Sequence, residues 1–289
     1  MKNKYGIQSL KKQFPNEETC VEFIFDTLHS RDCSCGGKYS LIKGRRQLQC
    51  SKCRFQIAPT ASTIFHKSPT PINLWFYAIL MFSNAKSGVS AKELSRQLEV
   101  TYKCAWRMLN LIKQALRQDT MKKLRGDVEI DVGFMGGKGY GGKNNEKLGE
   151  AMARKSIIAV AVERGGRMVA EIIPSTGSQA MQEFVERNIE TKATTLYTDN
   201  ADSYKRLDKT YDRASVTHKR REWVRGDVHV NSVETFFAHL KRSVRGTFKS
   251  ISKQHLQTYL DAFVWHYNNR HSDKARFEAL LGALLQPVK

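Results

Sequence analysis

The sequence predicts an α/β fold, a sheet covered by helices, with two smaller modules ahead of it. Three observations carry this. From Asp127 onward apolar residues alternate with polar ones, then switch to helical spacing and back. Nearer the N-terminus, four cysteines fall in two close pairs. Between these tracts lie two amphipathic segments with helix-start residues at Ser90 and Thr101. The 289 residues therefore divide into 1–60, 61–122 and 123–289, and a chain of this length can bury a sizeable core.

Composition narrows the function. Lys and Arg number 48 against 28 Asp and Glu, a formal net charge of +20. An excess spread along the whole chain implies a polyanionic partner, nucleic acid before an anionic membrane surface. The longest apolar run, Leu74 to Phe82, is nine residues, too short to span a bilayer. Met1-Lys-Asn-Lys-Tyr5 leads into no apolar stretch, so no secretory signal is expected. Six cysteines without such a signal read as thiols in a reducing compartment, some of them metal-bound. The expectation is a soluble cytoplasmic protein, associated with the nucleoid and not with membrane.

In chain order, Glu17 to Leu28 has a helical pattern with Cys20, Phe23 and Ile24 on its apolar side. Cys33-Ser-Cys35 and Cys50-Ser-Lys-Cys53 then flank a basic stretch that can form two short strands turning at Gly44. Two such knuckles are the layout of a zinc ribbon, four thiolates around one structural Zn²⁺. The first knuckle is C-x-C where C-x-x-C is usual, so His29, Asp32 or Cys20 could replace one ligand. An apolar helix is expected over Ile72 to Phe82, started by Ser68-Pro-Thr-Pro71.

Residues 88–109 read as two helices joined near Glu99–Thr101, with Ser90 and Glu93 forming a capping box. Leu94, Leu98, Val100, Ala105, Trp106 and Leu109 would supply a shared core. In a basic chain this is a helix-turn-helix pattern, with Tyr102, Lys103 and Arg107 offered to a DNA groove; the plain alternative is a helical hairpin.

From Asp127, a strand carries Val128, Ile130, Val132 and Phe134 on one face and Asp127, Glu129 and Asp131 on the other. The loop Gly136–Gly149 lacks the strand–loop–helix setting of a phosphate-cradling motif. It reads as a basic hairpin, Lys138 included, resting on DNA backbone. Strands Ser156 to Val162 and Met168 to Ile173 pair around Arg164-Gly-Gly-Arg167. A helix from Ser178 to Ile189, a strand from Thr194 to Thr198 and a strand from Arg213 to Thr217 follow. A basic segment comes next, in which Trp223 can stack on an unpaired base while Lys219, Arg220, Arg221 and Arg225 hold backbone phosphate.

The helix after it buries Val233, Phe236, Phe237, Leu240 and Val244. Along the edge of that stripe run Glu234, Lys241 and Arg245, with Arg242 beside them, cations suited to phosphate. A last helix, Lys253 to Asn269, buries Leu256, Leu260, Phe263, Val264 and Tyr267. Asp131 is thus expected to end the first strand and Asp199 the fourth, with Glu234 on the closing helix. Three hard-oxygen donors are what two Mg²⁺ ions, or Mn²⁺, need for phosphodiester chemistry.

Eight motifs, in unbroken order from about Phe14 to Arg270, resemble one family. They are Cys50-Ser-Lys-Cys53, Thr63-Ile-Phe-His66, Ala105-Trp-Arg-Met-Leu109, Val128-Glu-Ile-Asp131 with Gly136-Gly-Lys138, Tyr197-Thr-Asp-Asn200, His229-Val-Asn-Ser-Val-Glu234, Leu240-Lys-Arg242 and Tyr267-Asn-Asn-Arg270. The chain resembles the DDE transposases of bacterial insertion sequences that carry a zinc ribbon ahead of an RNase H-like, ISXO-type catalytic domain. The resemblance implies a mixed sheet flanked by helices, a metal-binding triad of Asp131, Asp199 and Glu234, and Lys241 as its phosphate-contacting companion. It also implies terminal inverted repeats and target DNA as partners, and a homo-oligomer when assembled on DNA. Val132 stands where the family usually has an acid. Asn231 competes with Glu234 for the third position, and Glu234 is preferred because it stands seven before Lys241. Two functions follow: a transposase that cleaves and joins DNA, or a zinc-ribbon and helix-turn-helix DNA-binding protein whose catalytic domain serves assembly alone.

Overall fold

The computed structural model describes residues 4–116, 122–136, 155–217, 222 and 224–286. They form two compact units, one of residues up to Ala115 together with those from Asn269 onward, the other spanning Leu116–Asn268. No helix among the described residues is long and apolar enough to cross a membrane.

The first unit opens with α1 (Ile7–Gln13) and α2 (Glu17–Leu28). Asn16 caps α2 through a reciprocal pair with Thr19, which satisfies amides that a helix start leaves open. A small antiparallel sheet follows, β1 (Tyr39–Leu41), β2 (Leu48–Cys50) and β3 (Gln56–Ile57). Helix α3 (Ile72–Asn84) is buried on most sides, with Trp75 and Ile79 fully enclosed. Its N-cap is Pro71, which has no side chain to offer. Glu17 caps it instead, accepting the Ile72 amide at 2.9 Å while pairing with Arg46 at 2.7 Å.

Helices α4 (Ala91–Leu98) and α5 (Tyr102–Ala115) are joined by Glu99, in the left-handed region at φ 53°. Ser90 and Thr101 accept the amides of Glu93 and Cys104. The Glu93 carboxylate turns to Arg96 and Gln97, so the capping box is half made. Trp106 was expected in the core and is 43 % exposed. The 3.6-residue turn puts Ala105, Met108, Leu109 and Ile112 inward, and Trp106 falls on the outer face with Tyr102.

The unit is completed from the other end of the chain. In the last described helix, α9 (Asp273–Leu284), Phe277, Leu280, Leu281 and Leu284 are buried, and the helix packs on α3. The buried Arg276 donates to the carbonyls of Ser83 at 3.0 Å and Asn269 at 2.9 Å. Within the stretch 123–289, the described residues from Asn269 onward group with the first unit.

The second unit is a five-stranded sheet in the order β6-β5-β4-β7-β8. Its strands are β4 (Leu124–Met135), β5 (Ser156–Glu163), β6 (Met168–Ile173), β7 (Ile189–Asp199) and β8 (Asp212–Val216). The first three in sequence pair antiparallel, and β4, β7 and β8 pair parallel. That mixed order is the RNase H-like fold. Helix α6 (Ser178–Asn188) and the tight turns at Asp202–Lys209 cover one face, meeting Val128, Ile130 and Leu196. Helices α7 (Asn231–Ser243) and α8 (Lys253–Asn268) cover the other, meeting Met135, Ile158, Val160 and Val162. Strand β7 starts at Ile189, five residues earlier than its apolar pattern suggests, because Ile189 pairs with Leu124. Asp131 was expected at a strand end and lies inside β4, which runs on to Met135.

Gly133 governs how closely α7 approaches β4. A Cβ there would lie 2.4 Å from the Phe237 ring. Gly133→Ala is therefore expected to destabilise the protein by about 1–3 kcal/mol, the usual cost of overpacking. Thermal unfolding measures this, and Phe237→Leu in the same chain should recover part of the loss.

Candidate active site and metal centre

In the second unit the site is set by strand register. Strands β4 and β7 pair from Gly126 with Thr194 through Glu129 with Tyr197. The same offset, carried two residues past the paired stretch, would bring Asp131 level with Asp199, the last residue of β7. Tyr204 reports both carboxylates. Its phenol is 2 % exposed, and burial first, then the charges of Asp131 and Asp199, push its pKa well above the ordinary range. Asp131 Oδ1 accepts the Val132 amide at 2.7 Å, and Asp199 Oδ1 accepts the Ala201 amide at 3.3 Å. Val132 itself packs on the opposite face, against the core under α6. An acid at that position would not share the face of Asp131.

Glu234 sits in the first turn of α7 and is exposed. Two contacts place it. Ser232 bonds to Glu129, and the Phe237 ring lies over Gly133. Asp131 lies midway between Glu129 and Gly133, the two positions on β4 that these contacts join to α7. Lys241 is two turns further along, its Nζ 5.8 Å above the Phe237 ring. Asn231 opens the helix. Arg242 and Arg245 are exposed, Arg245 in a π-helical stretch, Val244–Phe248, that prolongs α7. Arg225 is exposed and donates to the Ser215 carbonyl at 2.8 Å. Lys138, Lys219, Arg220, Arg221 and Trp223, with nearly all of the loop 136–149, lie outside the described residues.

The sequence reading missed Glu129. It is fully buried yet carries a carboxylate, with Arg164, Ser232 and His229 around it. A signal existed, since Glu129 shares a strand face with Asp131, but alternation alone does not say that α7 closes over it.

In the first unit, Tyr102, Lys103 and Arg107 are exposed on α5. The sulfurs of Cys33, Cys35, Cys50 and Cys53 lie within 4.8 Å of one another. Their contacts are 3.5 Å for Cys33–Cys35 and Cys35–Cys50, and 3.7 Å for Cys33–Cys53. Tetrahedral Zn–S bonds of about 2.3 Å would separate sulfurs by about 3.8 Å. A Cβ on Gly37 would lie 2.6 Å from the Cys50 sulfur, so a glycine keeps the cradle open. The Cys35 amide helps bring the Cys33 thiol down to about 6, and the Cys53 amide lowers Cys50. Cys20, by contrast, is buried, and burial pushes it up to about 12. Neither it nor His29 or Asp32 belongs to the cluster.

The Asp131, Asp199 and Glu234 carboxylates are not all within 4.8 Å of one another. Their carboxylate oxygens are hard donors of the kind that Mg²⁺ and Mn²⁺ take.

Residues 123–268, half of the chain, match the model of the ISXO2-like transposase domain, and the chain belongs to that family. A protein in the transposable element ISH50 of Halobacterium salinarum is 28 % identical over 240 residues, covering 78 % of this chain and 80 % of that protein. Among solved structures, the Mos1 strand transfer complex matches at 13 % identity and a TM-score of 0.30, over 74 % of this chain and 79 % of that one. The Mos1 mariner paired end complex with Mn matches at 12 % identity and a TM-score of 0.30, over 72 % and 75 %. At these scores the two structures carry no argument about the site.

Proposed function

We propose that this transposase binds the ends of its element, cleaves them to leave a 3′-hydroxyl, and joins that hydroxyl to target DNA, with Asp131, Asp199 and Glu234 as the metal-binding triad. The observation that supports the reading is the parallel β4–β7 register, whose offset carried two residues past the paired stretch would bring Asp131 level with Asp199. When bound there, two Mg²⁺ or Mn²⁺ ions would activate the attacking oxygen and stabilise the leaving one. The chain's own part is positional. Asp131 is steadied by the Val132 amide and Asp199 by the Ala201 amide. Lys241 and Arg242 lie further along the same helix, where they meet the DNA backbone, and Arg245 follows in its π-helical extension. On α5, Tyr102, Lys103 and Arg107 read a groove, the role of the second helix in a helix-turn-helix. Arg225, Lys138, Arg220, Arg221 and Trp223 belong to the same proposed DNA path. A homo-oligomer assembled on two ends completes the reading.

Asp199→Asn and Glu234→Gln keep shape and remove charge. Mg²⁺-dependent nicking of a labelled duplex carrying the flanking inverted repeat should fall by orders of magnitude in each. Binding of that duplex should hold, since phosphate contacts elsewhere carry it. Asn231→Asp should not rescue Glu234→Gln. Unchanged nicking in both carboxylate variants would falsify the triad. Lys241→Ala should instead lower the salt dependence of binding by about one unit of slope.

Zn²⁺ on Cys33, Cys35, Cys50 and Cys53 is the structural half of the proposal. The spacing of the four sulfurs and the cradle at Gly37 support it. Metal analysis of the purified chain should give one zinc per molecule. Cys50→Ser should lose it while Cys104→Ser keeps it, and zinc retained equally by both would contradict the assignment.

A further inference from the structure

Helix α7 has a problem at its start. Its N-cap is Val230, which offers no side-chain acceptor, and the first amides of a helix need one. The acceptor comes from the sheet. Glu129 Oε2 takes the Ser232 amide at 2.7 Å, and Oε1 takes the Ser232 hydroxyl at 3.1 Å. On the same carboxylate, Arg164 Nε donates at 2.9 Å and His229 Nδ1 lies at 3.3 Å. Arg164 is itself fixed on three sides. Its amide donates to the Asp127 carbonyl at 2.8 Å, its Nη2 to the His229 carbonyl at 3.0 Å, and its guanidinium stacks 3.8 Å over Tyr197. Tyr197 is the register partner of Glu129 and stands two residues before Asp199. One cluster therefore ties β4, β7, the β5–β6 turn and the entry to α7.

Each end of this bond lies two residues from a member of the proposed triad. Glu129 precedes Asp131 on the same strand face, and Ser232 precedes Glu234 on the same helix turn. A carboxylate suits the place, because it meets both a guanidinium and the positive end of a helix.

We propose that Glu129 is a positioning residue: by capping α7 from β4, it fixes the height at which Glu234 arrives opposite Asp131 and so sets the affinity of the site for its divalent ions. This rests on the reading of Glu234 as a metal ligand. The Glu129 oxygens accept from Ser232 and Arg164, and the role assigned to it is through those bonds.

The test is Mn²⁺ binding to the full chain, followed by electron paramagnetic resonance, beside nicking across a Mn²⁺ titration. Glu129→Ala should raise the Kd for Mn²⁺ by about 10–100-fold, the usual effect of losing a partner that orients a ligand. Saturating Mn²⁺ should restore the nicking rate to within several-fold of the parent, and Glu129→Gln should lie between the two. Ser232→Ala, which removes one of the bonds and leaves the charge paired, should shift the Kd in the same direction by less and serves if Glu129→Ala does not fold. A parent-like Kd in Glu129→Ala would overturn the proposal, as would loss of nicking at every Mn²⁺ concentration in both Glu129 variants. Glu234→Gln in the same titration separates the two ideas. If it weakens Mn²⁺ binding and Glu129→Ala does not, the positioning role fails alone. If Glu234→Gln binds Mn²⁺ as the parent does, the reading of Glu234 as a ligand fails and the positioning role with it.

Discussion

The second unit depends on the parallel pairing of β4 with β7. Side chains alternate along a strand, so a slip of one residue would turn Asp131 or Asp199 to the other face. The slip is prevented by burial on that other face, where Val128, Ile130 and Leu196 are enclosed under α6. The apolar core thus holds the register, and the register decides which face Asp131 and Asp199 share. On the carboxylate face the same strand must also accept a helix, which Gly133 permits by leaving room for Phe237.

Both units solve the start of an inward-facing helix in the same way. Helix α3 begins after Pro71 and α7 after Val230, neither able to cap. Glu17 and Glu129 reach in from other elements to take those amides. Such a cap also fixes where the helix begins relative to a distant part of the chain. In the second unit that position decides where Glu234 falls.

Much of this was legible in the sequence, because period and spacing are local. The apolar stripe of α7, the strands β4 to β6 and the paired cysteines all follow from residues within a few positions of one another. The same reasoning gave α4 and α5, yet it put Trp106 in the core, since an aromatic in an apolar run looks buried until the turn is phased. Helix α9 was not expected, the last helix being read as Lys253 to Asn269, although Phe277, Leu280, Leu281 and Leu284 have helical spacing and Ser272 caps it. Its membership of the first unit was not legible, as periodicity names a face and not a partner. Glu129 was hidden for a related reason. A carboxylate in an alternating strand looks like a solvated face, and only the packing of α7 shows it to be enclosed.

The central claim is that Asp131, Asp199 and Glu234 share divalent ions. Anomalous scattering from Mn²⁺ in crystals of the Asp131, Asp199, Glu234 chain bound to end DNA tests it most directly. The account predicts one peak between Asp131 and Asp199 and a second reached by Glu234. Ordered Mn²⁺ at other residues, with none between Asp131 and Asp199, would contradict it.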